Sequence, residues 1–445
     1  MNRLFDARRI LMPVAAVVVT TVFALLSLAM KAACFGITVP FIPPVVRNAC
    51  YSDIAALWNA RDLSMHLPPY SGGYDQVTQQ LIPGTLEYPT VSGLIIWLTA
   101  SLASSEIAFV LISAAVLGAS AISVTLLLRR LTTTRSWVWA AAPALILYTV
   151  YNWDVLPVLA SVGAFVLVLR PPGGELKRWH LVTAGALLGI GGALKLYPLL
   201  FVLPLVLWVL LDSSLAPAGR KWRRSTAAWM FGTASAVILV TNIPFMLINF
   251  GGWAAAFQFQ FSRAIDATTL SLWWVTFTPF TDIGIPEVQR LMMTASTVST
   301  AIAIVLVLSY GWFTGTRRGT VNWLGLAGAL LCVYLIFNKV NSPQYVLWLI
   351  PFFVVLRVKW IFVAAYFVAD IATFFGWYLW NMNTGSVAEF WHVTLIVGVS
   401  VRLALLAVFV IILPKTSPVI SSELRTLRSS GAEIPDVRTS ESLAR

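Results

Sequence analysis

Apolar runs near 20 residues recur along the whole of this 445-residue chain. Each is long enough to cross ~30 Å of hydrocarbon as a helix. In hydrocarbon the backbone must satisfy its own hydrogen bonds, so only helices and closed barrels can span it. The alternating ten-residue segments of a membrane barrel are absent from the sequence. With 59% hydrophobic and 11% charged residues, the chain is expected to be an all-α polytopic membrane protein. A net charge of +12 would suggest nucleic acid only in a soluble protein. Here the basic residues form short clusters between apolar runs, the pattern of cytoplasmic loops. Membrane lipids are therefore expected around the chain, and nucleic acid is not.

Arg3, Arg8 and Arg9 place the N-terminus inside, ahead of an uncleaved first span at about 10–30. Residues 31–106 then form a long first outer loop. The stretch "LEYPTVSGLIIWLTASLA" (86–103) is ambiguous. If it crossed, five basic clusters would lie outside: Arg129/Arg130/Arg135, Arg170/Lys177/Arg178, Arg220/Lys221/Arg223/Arg224, Arg317/Arg318 and Arg357/Lys359. The positive-inside rule instead keeps this stretch on the outer surface. Later spans are expected at about 107–128, 136–151, 154–170, 181–194, 197–211, 227–249, 291–313, 321–338, 344–356, 360–380 and 391–414. That makes twelve, with both termini cytoplasmic, a second outer loop at 250–290 and a disordered tail at 415–445. Residues 1–414 form one membrane domain.

The run at 181–211 is interrupted by "KLYP", and that at 321–356 by "NKVNSPQY". Each half is short for a span, so Lys195 and Lys339 should sit below the outer surface, lining a wet cavity. With Arg263 they are cations that match an anion such as a lipid phosphate, or that pair with Asp154, Asp266 or Glu87. In "CYSDIAALWNARDL" (50–63), Ser52 is a good N-cap for a helix starting at Asp53. Ile54, Leu57, Trp58 and Ala60 form its apolar stripe, and Pro68 and Pro69 are expected to stop it. Cys34 and Cys50 fall in the same outer loop, where an oxidising compartment favours a disulfide over two free thiols. Asp370 and Arg402 fall mid-span and are expected to pair structurally. The histidines are scattered, so neither a metal site nor a cofactor is expected, and no nucleotide-binding pattern is present.

The Asp at the head of an amphipathic outer helix, "EYP" downstream, "ALKLYPLLFVLPLVL" and "NSPQYVLWLIP" together resemble the GT-C glycosyltransferases. They are most similar to glycosyltransferase family 87, the polyprenyl-phosphate-mannose-dependent mannosyltransferases of actinobacteria. The resemblance spans roughly residues 45–355, and "KLYP" is its most distinctive piece. It implies a GT-C-like bundle with surface helices in the first loop, and a sugar moved from a polyprenyl-phosphate donor to a lipid or polysaccharide acceptor. It makes Asp53 the general base, with Asp62, Asp75 and Glu87 as alternative acids. Lys195, Arg263 and Lys339 would hold the donor phosphate. Tyr88, Asp154, Tyr197 and Gln344 would support the site. A single base suits a single displacement, with inversion at the anomeric carbon. The rival is a twelve-span transporter or lipid-linked-sugar flippase, which would favour symmetric halves and charges along a central path. Neither is visible in the sequence.

Overall fold

The computed structural model describes residues 2–37, 43–169 and 174–419. The first apolar run is α1 (Asn2–Ala32). It leads to α2 (Pro44–Arg47), α3 (Asp53–Ala60) and a two-stranded antiparallel ribbon, β1 (Tyr74–Asp75) with β2 (Gln80–Leu81), in which Tyr74 faces Leu81. Then follow α4 (Thr90–Ser101), α5 (Glu106–Leu131), α6 (Trp137–Ala140), α7 (Pro143–Tyr148), α8 (Val155–Leu169) and α9 (Arg178–Leu194). Next come α10 (Leu199–Leu211), α11 (Arg220–Ile248), α12 (Phe250–Ser262), α13 (Leu272–Phe277) and α14 (Pro286–Arg318). The chain closes with α15 (Trp323–Phe337), α16 (Val346–Val355), α17 (Trp360–Met382) and α18 (Gly385–Ile412).

Six of these helices are long and apolar enough to cross a membrane: α1, α5, α11, α14, α17 and α18. The protein is thus an all-α protein of membrane character. The other expected spans are shorter, and the reason is position. All ten residues of α16 are buried, as are thirteen of the fifteen in α15. A helix that is apolar all round belongs in an interior. The long helices sheathe it. Leu239, Val240, Leu247 and Ile248 of α11 and Ile302, Val305 and Leu306 of α14 point outward. The expected span at 136–151 is two short helices, because Pro143 opens α7 and cannot continue α6. The outer loop expected at 250–290 is largely helical, holding α12 and α13.

The break at "KLYP" divides α9 from α10, and "NKVNSPQY" divides α15 from α16, as expected. Stretch 86–103 does not traverse the bundle. Ser92 near the start of α4 donates to Leu194 O at 2.6 Å, Trp97 donates to His66 O, and Glu106 just beyond α4 accepts from Asn59 of α3 at 3.2 Å. Both ends of α4 therefore stay at the end of the molecule that carries α3. Helix α3 starts at Asp53, but it ends at Ala60 and not at Pro68. Asp62 adopts a left-handed conformation (φ 47°), which α-helix excludes, and only a 3-10 turn follows at Leu63–Met65. The tail expected to be disordered from 415 is instead ordered as far as Val419, whose N donates to Val355 O at 2.9 Å, while Arg170 and residues 420–445 lie outside the described residues.

Cys34 and Cys50 form a disulfide, with Cα atoms 5.4 Å apart. It ties the end of α1 to the segment that enters α3. Replacing both residues by Ser is expected to lower stability by ~3 kcal/mol, from the loop entropy released. Thermal unfolding in detergent reads this out, and an unchanged midpoint would refute the staple. Arg402 Nη1 lies 3.7 Å from Asp370 Oδ1, joining α17 to α18 as the expected structural pair.

Candidate functional site

Ser52 caps α3 by accepting from Ile54 N at 3.2 Å, and it donates to Val150 O at 2.7 Å. Asp53 N donates to Tyr151 O at 2.9 Å. The head of the helix is thereby fastened to the link between α7 and α8. This holds the Asp53 carboxylate, which is partly exposed, between two donors. Tyr51 Oη donates to Oδ1 at 3.0 Å and Asn152 Nδ2 to Oδ2 at 2.7 Å. Asn152 is itself fixed, since its Oδ1 accepts from Trp153 N and its Nδ2 also donates to Tyr88 Oη at 3.1 Å. Burial raises the Asp53 pKa above the ordinary carboxylate value. The bonds from Asn152 and Tyr51 and the charge of Lys195 oppose this, and the neighbouring Asp154 adds to it. The result is a carboxylate that takes up a proton more readily than a free one.

The alternative acids are placed differently. Glu87 receives a two-pronged bond from Arg61, at 2.8 and 3.2 Å, and its backbone oxygen accepts from Gln260 of α12. It anchors the loop. Asp75 Oδ1 accepts from Val77 N and Thr78 N, which lowers its pKa. It shapes a turn. Asp62 is exposed beside a cavity of about 20 Å³, room for one water and not for a sugar.

Asp154 is fully buried at the head of α8. Its Oδ1 accepts from Lys195 Nζ at 2.5 Å and from Trp348 Nε1 at 2.8 Å. Its Oδ2 has no hydrogen-bond partner among the described residues. Tyr197 stacks on Trp348 at 4.1 Å, and Trp348 stacks on Tyr345 at 3.9 Å. The Lys195 ammonium lies 5.1 Å from the Tyr345 ring centre and 5.3 Å from that of Trp348. Lys195 is therefore recessed, and its charge is balanced by Asp154, one of the two arrangements its position allowed.

Lys339 Nζ donates to the backbone oxygens of Phe261 and Arg263, each at 3.0 Å. Burial, helped by the nearby Arg263 charge, lowers its pKa to about 8. Two of its three N–H donors are taken by the segment that carries Arg263. The Arg263 guanidinium has one hydrogen bond, to Thr268 Oγ1 at 3.3 Å, and is only half-buried. Of the three cations, Arg263 has the most donors left to offer. Gln344 is buried at the turn before Tyr345.

Asp53, Tyr88, Asp154, Lys195, Tyr197, Arg263, Lys339 and Gln344 thus come together at one end of the bundle. Lys195 lies at the centre, bonded to Asp154 and over the Tyr345 and Trp348 rings. Asp62 and Asp75 stand apart. Reading the sequence missed Tyr51, Asn152, Arg61, Tyr345 and Trp348. "YNWD" interrupting an apolar stretch was a signal for Asn152. Trp348 inside an apolar run gave none. The sequence matches no protein-family model and no curated protein.

Proposed function

We propose that this protein is an integral membrane glycosyltransferase of the GT-C type, most similar to family 87. It moves a sugar, mannose in our reading, from a polyprenyl-phosphate donor to an envelope glycolipid or polysaccharide acceptor. The observation that carries this reading is Asp53: a partly exposed carboxylate with a raised pKa, locked by Tyr51 and Asn152, beside recessed cations. In the proposed step the acceptor hydroxyl gives its proton to Asp53 while its oxygen forms a bond to the anomeric carbon. The bond from that carbon to the phosphate oxygen breaks, and its electron pair leaves with the lipid phosphate. One displacement inverts the anomeric carbon. A base whose pKa lies nearer the working pH removes the proton more effectively.

Arg263 supplies most of the charge that meets the phosphate, Lys339 positions Arg263, and Lys195 contributes a partly neutralised ammonium. The proposed topology is twelve traverses with both termini cytoplasmic and the Asp53 end outside. The basic residues support it. Arg129, Lys177, Arg224, Arg318 and Arg357 sit at the helix ends remote from Asp53.

Incubating the purified protein with radiolabelled polyprenyl-phosphate mannose and envelope lipid acceptors tests the reading. Label transferred to acceptor supports it, and absence of transfer with every acceptor and donor sugar tried would overturn it. Arg263→Gln is expected to leave the melting temperature unchanged, because the side chain holds one exposed bond. It should weaken donor affinity by ~1–3 kcal/mol, the range for losing a charged hydrogen bond. Donor titration of wild type and variant checks this, and equal affinities would remove Arg263 from the phosphate site.

A further inference from the structure

Helix α9 is 17 residues, ~25 Å long, and runs from the Asp53 end, at Lys195, to the opposite end of the molecule, at Arg178. There it lies against α11. The two cross closely: a Cβ added at Gly185 would meet Met230 O at 2.4 Å, and one at Gly189 would meet Ala234 O at 2.8 Å. Beyond this contact, toward the basic ends, an open cavity of about 480 Å³ lies between the helices. Lys177, Arg178, Trp179, Val182 and Trp229 line it.

This lining is unusual for a free surface. Trp179 and Trp229 are 50% and 62% exposed, two large rings turned outward. Arg178 is anchored by its Nε to Thr226, a buried residue of α11, at 3.1 Å, and it faces the Trp222 ring. Its terminal nitrogens and the Lys177 ammonium have no carboxylate partner among the described residues. Among the described residues no acidic one lines the cavity; Glu175 is exposed two residues before Lys177, and Arg220, Lys221 and Arg224 at the start of α11 are exposed as well. The combination asks for a ligand with an anionic head and an apolar body. Exposed tryptophans belong where hydrocarbon meets head groups, and basic clusters there draw anionic lipids. A soluble phosphate would satisfy the cations but leave both indoles in water.

We propose that this cavity is a binding site for an anionic phospholipid, its phosphate between Lys177 and Arg178 and its upper chain against Trp179, Val182 and Trp229. The site is remote from Asp53 and does not depend on the proposed reaction.

Native mass spectrometry of the full-length protein, titrated with phosphatidylglycerol or phosphatidylcholine, tests it. A preference for phosphatidylglycerol is expected, of about fivefold for each of the two cations, the factor equivalent to the usual energy per basic residue near an anionic surface. Lys177→Gln/Arg178→Gln should abolish the preference. Because Arg178 also ties α9 to α11, Lys177→Gln/Trp229→Ala is the second variant. It removes no interhelical hydrogen bond and should lower the preference at least fivefold. Glycerol phosphate in excess should not displace the lipid. Asp53→Asn should bind it as wild type does, so loss of transferase activity leaves this result readable. Equal binding of the two lipids by wild type, an unchanged preference in the second variant, or displacement by glycerol phosphate would each overturn the proposal.

Discussion

Asp53→Asn is expected to lose ~10²–10⁴-fold in sugar transfer, the range for removing a positioned general base. The fold should survive. Ser52 still caps the helix, the Asn oxygen can accept from Asn152, and its amide can donate to the Tyr51 hydroxyl. Stability should even rise at neutral pH. The Asp53 pKa is raised in the folded state, chiefly by burial. A raised pKa contributes stability that is complete below the unfolded value and is lost as pH climbs through the folded one. Above that folded value the wild type loses the contribution, whereas the neutral amide never has a charge to bury. Melting curves should show the variant at or above wild type near pH 7, with the two converging as the pH falls. The acidic limb of the wild-type rate profile should lie above the ordinary carboxylate range. Should Asp53→Asn turn over normally while Asp62→Asn does not, the base is Asp62 and the geometry around Asp53 has another purpose.

Asp154→Ala should destabilise the protein by ~3–5 kcal/mol, the usual result of removing one partner from a buried ion pair. The carboxylate is wholly buried, and the Lys195 side chain is only 18% exposed. Truncation strands the ammonium and also takes the acceptor from Trp348 Nε1. Lys195→Met should be comparably damaging, because it leaves Asp154 with the indole alone. The double variant Asp154→Leu/Lys195→Met should recover most of the loss, since burying neither charge avoids both desolvation penalties. Chemical unfolding of wild type, Asp154→Leu, Lys195→Met and the double variant gives the coupling energy. Additive losses would mean that the pair is not a unit. The recovered double variant also separates structure from chemistry. If it folds and still binds donor as wild type does, Lys195 has no part in holding the phosphate.

How much of this was legible beforehand differs by element. The start of α3 at Asp53 was, because Ser52 and the Ile54, Leu57, Trp58 spacing are local signals. Its end was not, because nothing local to the sequence marks the left-handed turn at Asp62 that closes it. The breaks at "KLYP" and "NKVNSPQY" were legible, since polar residues and Pro inside apolar runs stop helices. The split of 136–151 was announced by Pro143 and outweighed by the hydropathy around it. At the site, the recessed cations were visible as charges in oil and Asp154 was among their possible partners, but which partner each would take was not.

By itself the sequence determined that the chain is helical and of membrane character, and that its charges are sorted between two ends. Both follow from short-range physics: the solvation of each residue and the self-sufficiency of helical backbone. Only the tertiary structure decided that Lys195 meets Asp154, 41 residues away, and that Trp348, 194 residues from Asp154, donates to the same oxygen. It likewise chose Tyr51 and Asn152 as the pair that holds Asp53. Pairing at such separations depends on which short helices take the interior of the bundle. Apolar helices of similar composition do not encode that choice in their own residues, because every one of them is equally at home against another.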